Sequence, residues 1–306
     1  MENVLVTGAS GFIGQSTIPL LIDKGYRVFA VTTRIHTQDL NRSVTWLTGD
    51  ILNPGNVSEI CRKADADLLL HLAWYDDPAD RMSSAGNLPW VGATLHLAKE
   101  FLEQGGRRIV TAGSCAEYDW QYGYCSEGIT PEQPATLYGE CKTAVYKLLT
   151  KYCNAREVEY GNARIFFVYG PQEPEQRFVP YVINTLLDGR QPAINHGDHL
   201  RDYLHVSDVA GALVALLSSD LRGSVNIAGG NPVSLRDIAG MIARTLDREH
   251  LVDNTNSGFG NAKDRVVFAD TSRLRHELGW KPTFQLEQGI TDTINWWKQK
   301  HNVTAI

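Results

Sequence analysis

The chain has 306 residues, 43% of them hydrophobic, which is ordinary for a folded protein with one large or two modest domains. Its formal net charge is −6, so it lacks the basic surface that nucleic acids and anionic membranes attract. No apolar stretch reaches the roughly 18 residues that a membrane span needs. We therefore expect neither a nucleic-acid partner nor a membrane partner.

The cysteines give no sign of disulfide or metal chemistry. All five stand at irregular spacings and form no C-x-x-C pair: Cys61, Cys115, Cys125, Cys141 and Cys153. Free thiols are typical of a reducing compartment. The N-terminal residues enter a strand-like run directly, with no basic segment or cleavage site before it. We expect a cytoplasmic protein without a metal site.

Short β-branched runs alternate with longer helical patterns along the first half of the chain. Strands are predicted at Val4–Thr7, Arg27–Thr33, Val44–Leu47, Leu68–Leu72, Arg108–Ala112 and Glu159–Val168. Helices are predicted at Gly14–Lys24, with a bend at Pro19, and at Asn56–Lys63, Asn87–Gln104 and Tyr138–Asn154. Strands that alternate with helices indicate an α/β fold with a parallel sheet covered on both faces.

The composition of the chain changes after Val168. The predicted helices and strands become shorter, and proline, glycine and polar residues become more frequent. Helices are predicted at Val179–Leu187, Val206–Ser219, Leu235–Arg244 and Leu286–Lys298, with a strand at Ser224–Ile227. Gly8, Gly11 and Gly14 form a glycine motif typical of dinucleotide binding, so we place a dinucleotide-binding domain at residues 1–168. Residues 169–306 are expected to form mainly a smaller α+β substrate domain, with segments around 200–228 returning to the sheet.

A glycine motif connects the first strand to the first helix. Gly8, Gly11 and Gly14 form a G-x-x-G-x-x-G pattern, in which glycines permit a tight turn, a close approach to a pyrophosphate and close helix packing. The helix N-terminus adds N–H donors and partial positive charge. We expect Gly8, Gly11, Phe12, Ile13 and Gly14 to bind a dinucleotide in a Rossmann-type, doubly wound sheet.

The end of the second strand bears on which dinucleotide binds. Units that prefer NAD carry an acidic residue there for the ribose 2′-hydroxyl, whereas this chain has Thr32, followed by Arg34. A carboxylate would repel a 2′-phosphate, and an arginine can pair with one. We therefore favour NADP(H) over NAD(H), although Arg34 also fits a solvated surface residue. Asp50 is placed to accept from the adenine amine or to begin a turn.

Several motifs together resemble a known family. Gly8–Gly14, Gly49-Asp50, His71-Leu72-Ala73, Ser114, Tyr138-x-x-x-Lys142 and Arg201-Asp202-Tyr203 follow the order of extended short-chain dehydrogenase/reductases. Within these the chain resembles the NAD-dependent epimerase/dehydratase group, which acts on nucleotide-diphosphate sugars. The resemblance covers nearly the whole chain and implies that Ile51, Leu72 and Ala73 also line the cofactor site.

The resemblance implies a catalytic set of Ser114, Tyr138 and Lys142. The i, i+4 spacing of the last two places both on one helix face. An ordinary tyrosine has a pKa near ~10, and a nearby ammonium would lower it. Tyr138 could then exchange a proton with a sugar oxygen during hydride transfer. Lys142 would hold the nicotinamide ribose, and Ser114 would orient the sugar oxygen.

Departures from the family pattern disfavour some of the reactions that the family catalyses. Dehydratases carry carboxylic acids at positions that match Cys115 and Ala116 here, and Glu117 is shifted by one residue. In an extended segment that shift would point Glu117 the other way. Members that epimerise C3 and C5 need a Cys and a His, where this chain has Ala116 and Gln172. Both reactions are disfavoured.

Other positions concern the substrate. Trp74 and Tyr75 follow a strand end, where open α/β sheets bind ligands, although they also fit a packed loop. Phe167 stands where the family often has Asn. Arg201 is the best candidate for the diphosphate, with Arg177 or Arg265 as a further cation, and each also fits an ion pair.

The family reactions that are not disfavoured need only a serine, a tyrosine, a lysine and a nicotinamide cofactor. We expect 4-keto reduction of a nucleotide-diphosphate sugar, or the reverse oxidation. The alternative is a C4 epimerase, which retains its cofactor and usually uses NAD. A reductase of other carbonyls, or a non-catalytic dinucleotide-binding sensor or scaffold, fits less well. The resemblance also implies a homodimer through the helices at Asn87–Gln104 and Tyr138–Asn154.

Overall fold

A computed structural model describes residues 1–33, 44–252 and 264–304. Its strands are β1 (Asn3–Thr7), β2 (Arg27–Thr32), β3 (Val44–Thr48), β4 (Leu68–His71), β5 (Arg108–Ser114), β6 (Tyr124–Cys125), β7 (Glu159–Ile165), β8 (Phe167–Tyr169), β9 (Leu200–Arg201), β10 (Tyr203–His205), β11 (Gly223–Ile227), β12 (Val233–Ser234) and β13 (Val266–Ala269). Its helices are α1 (Phe12–Asp23), α2 (Pro54–Ala64), α3 (Asn87–Glu103), α4 (Leu137–Asn154), α5 (Phe178–Leu187), α6 (Val206–Leu217), α7 (Leu235–Thr245) and α8 (Leu286–Thr304).

A parallel sheet of seven strands forms the centre of the fold, in the order β11-β7-β5-β4-β1-β2-β3. Every pairing within it is parallel, which confirms the predicted α/β class and the doubly wound sheet. The order runs outward from the middle in both directions, so β1 and β4 lie side by side. This reversal leaves a crevice at their carboxyl ends.

Two separate cores cover the two faces of the sheet. Val4 and Val6 of β1 pack into one core with residues of α1 and α6, whereas Leu5 packs into the other with residues of α2, α3 and α4. In β4, Leu68 and Leu70 likewise pack into the first core, and Leu69 packs into the second. Because successive strand side chains point to opposite faces, a continuously apolar run indicates a strand buried on both sides.

The predicted strand Glu159–Val168 is wrong in one respect, because the structure divides it in two. β7 pairs with β11 in the main sheet, whereas β8 pairs with β10 in a separate two-stranded sheet. The amide of Phe166 still donates to Ile227, but that of Phe167 donates to Asp202. The backbone hydrogen bonds change to a different partner between Phe166 and Phe167, and this ends β7. The residue types of this segment do not predict the change.

The C-terminal residues contribute to both parts of the molecule. α5, α7 and α8 share a third core that includes Ile183, Ile242 and Ile294. β11 returns to the edge of the main sheet, and α6 covers its face. Over the described ranges no helix is both long and apolar enough to cross a membrane. The division into two domains remains a prediction.

Candidate active site

The glycine loop lies in the crevice between β1 and β4. Gly8 follows β1 with a positive φ of 68°, a conformation that glycine adopts without strain. A methyl group on it would lie 2.7 Å from the backbone nitrogen of Ala73, just after β4. Beneath the loop, the buried His71 ring hydrogen bonds to Thr7 at 2.6 Å and to Thr94 at 2.9 Å. The loop therefore has one fixed position over the strand ends.

The N-terminus of α1 fits the predicted diphosphate site. A methyl group on Gly14 would lie 2.2 Å from the Gly8 carbonyl oxygen, so the helix and the turn touch as only glycine allows. Gly11 is the N-cap and supplies no side-chain hydrogen bond. The first-turn N–H groups, including those of Phe12 and Ile13, therefore have no side-chain cap and can bind an anion.

The other predicted cofactor residues occupy the same edge of the sheet. Thr32 ends β2, with its hydroxyl 3.5 Å from that of Ser10 in the glycine loop. The exposed Asp50 accepts from the amide of Leu52 at 2.9 Å, so one carboxylate oxygen supports a turn. Ile51 is buried in the core, and its cofactor role remains a prediction. Arg34 lies outside the described residues.

The predicted catalytic residues come together where β5 ends and α4 begins. Thr136 caps α4 by accepting from Gly139, and a methyl group on Gly139 would lie 2.3 Å from the Ala116 carbonyl oxygen. This contact docks the first turn of α4 on the segment after β5. Ser114 ends β5, and its hydroxyl lies near enough to the Tyr138 side chain to act on the pKa of the phenol. The structure places these two hydroxyl groups in one site, and their catalytic roles remain predictions.

Lys142 lies one helical turn beyond Tyr138 and is only 7% exposed. Its Nζ donates to the Ala112 carbonyl oxygen at 2.8 Å and lies 3.8 Å from the centre of the Trp74 ring. The distance from Nζ to the Tyr138 ring centre is 5.8 Å. Because Trp74 directly follows Ala73 beside the glycine loop, the amine and the phenol face the predicted dinucleotide crevice.

The electrostatics of the pair differ from the sequence-based expectation. Burial raises the pKa of Tyr138 above its ordinary value, and the charge of Arg81 and the nearby Ser114 hydroxyl oppose this. Burial also lowers the pKa of Lys142 to about 7, against the attraction of Glu117. The expectation that Lys142 gives Tyr138 a lowered pKa is wrong for this structure, because desolvation acts more strongly on both groups.

The prediction that Glu117 lies in an extended segment is wrong. Residues Cys115–Glu117 form a 3-10 turn, and the fully buried Glu117 accepts from the Ser114 amide at 2.8 Å. It also accepts from Arg164 at 2.8 Å and from Asn162 at 3.0 Å. These contacts hold the carboxylate in an ion pair behind Ser114, so it supports the site rather than serving as a free acid.

The two aromatic residues after β4 have different surroundings. Trp74 lies edge-on to Tyr138, with 6.5 Å between ring centres, and its Nε1 donates to Asn87 at 2.8 Å. Tyr75 donates its hydroxyl to Asp80 at 2.8 Å. Trp74 therefore forms a wall of the catalytic site, whereas the hydroxyl of Tyr75 is engaged within its own loop.

The remaining predicted substrate residues form two polar groups. The guanidinium of Arg201 lies 5.4 Å from the Phe167 ring centre and pairs with Asp264 at 3.1 Å. Arg177 pairs with Asp76 at 3.0 Å. Both arginines are held by a carboxylate that a diphosphate would have to share or displace. Their substrate roles remain predictions.

Sequence reasoning missed a polar group in the loop between β4 and α3. Arg81 lies over the Tyr138 ring, 5.4 Å from its centre, and pairs with Asp76 at 2.7 Å. The buried Asn87 receives the Trp74 hydrogen bond. The available signal was the run of charges after a strand whose carboxyl end faces the crevice. No residue spacing connects that run to Tyr138.

The fold defines a Rossmann-type α/β protein, and the site groups Ser114, Tyr138 and Lys142 beside its glycine loop. The family model described as "NAD dependent epimerase/dehydratase family" matches residues 4–228. The chain therefore belongs to the NAD-dependent epimerase/dehydratase family. This confirms the family resemblance from the sequence motifs.

Relatives of the chain act on nucleotide sugars. It is 25% identical to a UDP-glucuronate 4-epimerase of Thermodesulfobacterium geofontis, over 100% of this chain and 98% of the relative. It is 26% identical to a dTDP-glucose 4,6-dehydratase of Streptomyces antibioticus, over 97% and 92%. The solved structure of MoeE5 with UDP-glucose and NAD is 29% identical, with a TM-score of 0.83 over 98% and 99%.

The buried ion pair predicts a structural effect of changing Glu117. Glu117→Gln should lower the free energy of unfolding by about 3 kcal/mol, because Arg164 would lose its fully buried counter-ion. Urea denaturation measures this, with Glu103→Gln on the exposed surface of α3 as the matched control, expected to change it by less than about 1 kcal/mol. Unchanged stability together with lost turnover would instead identify Glu117 as a catalytic acid.

Proposed function

We propose that the protein is an NAD(P)-dependent oxidoreductase that reduces a 4-keto group of a nucleotide-diphosphate sugar, or catalyses the reverse oxidation. The observation that carries the proposal is the grouping of Ser114, Tyr138 and Lys142 beside the glycine loop, with Glu117 engaged by Arg164. Such a site can move one proton at one sugar oxygen. It offers no free carboxylic acid at the dehydratase positions, which are Cys115 and Ala116.

Each residue has a role that follows from its position. A bound nicotinamide supplies or accepts the hydride. Tyr138 donates a proton to the C4 oxygen in reduction and takes it back in oxidation. Ser114 hydrogen bonds to the same oxygen and fixes its direction. Lys142, held by the Ala112 carbonyl oxygen and 5.8 Å from the Tyr138 ring centre, would hold the ribose of the nicotinamide.

For the cofactor we propose NADP(H) in preference to NAD(H). The support is Thr32 at the end of β2, where a carboxylate would repel a 2′-phosphate, and its position beside Ser10 of the glycine loop. Fluorescence titration of the purified protein should give a lower Kd for NADPH than for NADH. Equal affinities, or tighter NADH binding, would contradict this preference.

C4 epimerisation is the second candidate, because some of the relatives are 4-epimerases. Both a UDP-glucuronate 4-epimerase and a UDP-glucose 4-epimerase align with nearly the whole chain. The same three residues would serve, since an epimerase oxidises and re-reduces one carbon. By likeness to these relatives, UDP- and dTDP-linked sugars are the first substrates to test.

The two candidates differ in their cofactor balance. With 4-keto-6-deoxy nucleotide sugars the protein should oxidise one NADPH for each sugar reduced, as followed at 340 nm and by chromatography. An epimerase would convert UDP-glucose or UDP-glucuronic acid into its C4 epimer with no net change in cofactor. Epimer formation without consumption of NADPH would replace the first candidate with the second.

Tyr138 can be tested by removing one oxygen. Tyr138→Phe should lower kcat by roughly 10²- to 10⁴-fold, since general acid–base catalysis contributes about that much. Its Kd for NADPH should stay within about twofold, because the ring and its packing on Trp74 remain. The steady-state rate and a cofactor titration measure the two effects. A variant with a near-normal rate would remove Tyr138 from the mechanism.

We also propose a homodimer formed through α3 and α4. Leu88 and Leu148 support it, because these apolar side chains are 55% and 51% exposed on the two helices.

A further inference from the structure

Arg81 lies about as near to the Tyr138 ring as the lysine that the sequence pairs with it. Its guanidinium carbon is 5.4 Å from the Tyr138 ring centre, whereas Nζ of Lys142 is 5.8 Å away. The next residue, Met82, accepts a hydrogen bond from the Tyr138 amide at 3.1 Å. The loop that carries Arg81 is thus attached to the first turn of α4. This backbone contact holds the Arg81 side chain near that of Tyr138.

The guanidinium of Arg81 is held by one carboxylate, which it shares with a second arginine. Its Nη1 donates to Asp76 at 2.7 Å, and the same carboxylate oxygen accepts from Arg177, the N-cap of α5, at 3.0 Å. Its Nε is buried and has no hydrogen-bond partner in the described part of the chain. One carboxylate thus serves two arginines, and this trio retains one net positive charge beside Tyr138.

The loop backbone around Arg81 is itself well supported. The buried side-chain amide of Asn87 donates to the carbonyl oxygens of Arg81 and Ser84, at 2.7 and 2.9 Å. Asn87 in turn accepts from Nε1 of Trp74, whose ring lies against Tyr138. Backbone and side-chain contacts therefore both connect the loop to the catalytic phenol.

The other ionisable groups around Tyr138 lie on two elements, the turn after β5 and α4. The Glu117 carboxylate, on the turn after β5, disfavours the phenolate, whereas Arg81 favours it. The neighbouring Cys115 thiol stays neutral, because burial raises its pKa. Lys142, on α4, has a pKa that burial lowers to about 7. An arginine stays protonated throughout the neutral range, so Arg81 adds a lasting positive charge to the group.

We propose that Arg81 is a positioning residue whose guanidinium stabilises the ionised hydroxyl of Tyr138 and so sets the pH range of proton transfer. This inference rests on the role assigned to Tyr138 under the proposed function. It adds the loop between β4 and α3 to the groups that act on the phenol, beside Lys142, which lies between Trp74 and the Ala112 carbonyl oxygen.

The sign and size of the effect follow from the charges. An opposite charge within about 4–6 Å lowers the pKa of an acid by roughly 1–3 units. Asp76 partly neutralises Arg81, so the lower end of that range applies. Removing the guanidinium should raise the pKa of Tyr138 by about one unit, while removing the Asp76 charge should lower it.

The experiment is a pH titration of the tyrosines by NMR in protein labelled with ¹³C at tyrosine Cζ, with Tyr138→Phe assigning the signal. Arg81→Gln should shift the Tyr138 titration upward by about one unit, and Arg81→Lys should restore most of the difference. Asp76→Asn should shift it downward. Lys63→Gln, which removes an equal charge from the exposed surface of α2, should leave it unchanged.

The paired variants separate charge from structure. Arg81→Gln and Asp76→Asn break the same ion pair, so a purely structural effect would move both titrations in one direction. That result, or an unchanged titration in Arg81→Gln, would overturn the proposal. The titration needs no substrate. If no nucleotide sugar is turned over, the proposed function fails while the NMR result still decides the role of Arg81.

Where turnover is found, the same variants predict the pH–rate profile. The limb of kcat that reports Tyr138 should move upward in Arg81→Gln, by about the shift seen in the titration, and return in Arg81→Lys. A fall in kcat at every pH with an unmoved limb would contradict the proposal.

Discussion

The reversal of strand order between β1 and β4 is the constraint on which the site depends. Two neighbouring parallel strands whose connections leave in opposite directions must open a crevice at their carboxyl ends. Gly8 can enter that crevice because it has no side chain to meet the backbone of Ala73. The glycine loop, the Trp74 wall and the loop that carries Arg81 all start from this one junction.

A second constraint is the cost of burying charge beside the catalytic phenol. Burial opposes ionisation of Tyr138 and protonation of Lys142 alike, so neither can be assumed charged from its residue type. Glu117 is kept in place by Arg164, and the resulting ion pair supports the backbone amide of Ser114. The charged side chains of Glu117 and Arg81 are therefore stabilised as ion pairs. Arg81, which pairs with Asp76, lies 5.4 Å from the centre of the Tyr138 ring.

Much of the fold could be predicted because its signals are local. The run Leu68-Leu69-Leu70 indicates a strand buried on both faces, and its residues do divide between the two cores. The division of Glu159–Val168 into β7 and β8 could not be predicted. It depends on a hydrogen bond from the Phe167 amide to the carbonyl oxygen of Asp202, a residue 35 positions further along the chain.

The sequence by itself determined the glycine turn, the parallel sheet and the pairing of Tyr138 with Lys142 on one helix face. Each of these is encoded within a few residues, through glycine conformation, apolar runs and helical periodicity. Only the tertiary structure decided which charges surround the phenol. Arg81 and Glu117 reach Tyr138 from separate loops, and their distances and burial arise when the sheet brings those loops together.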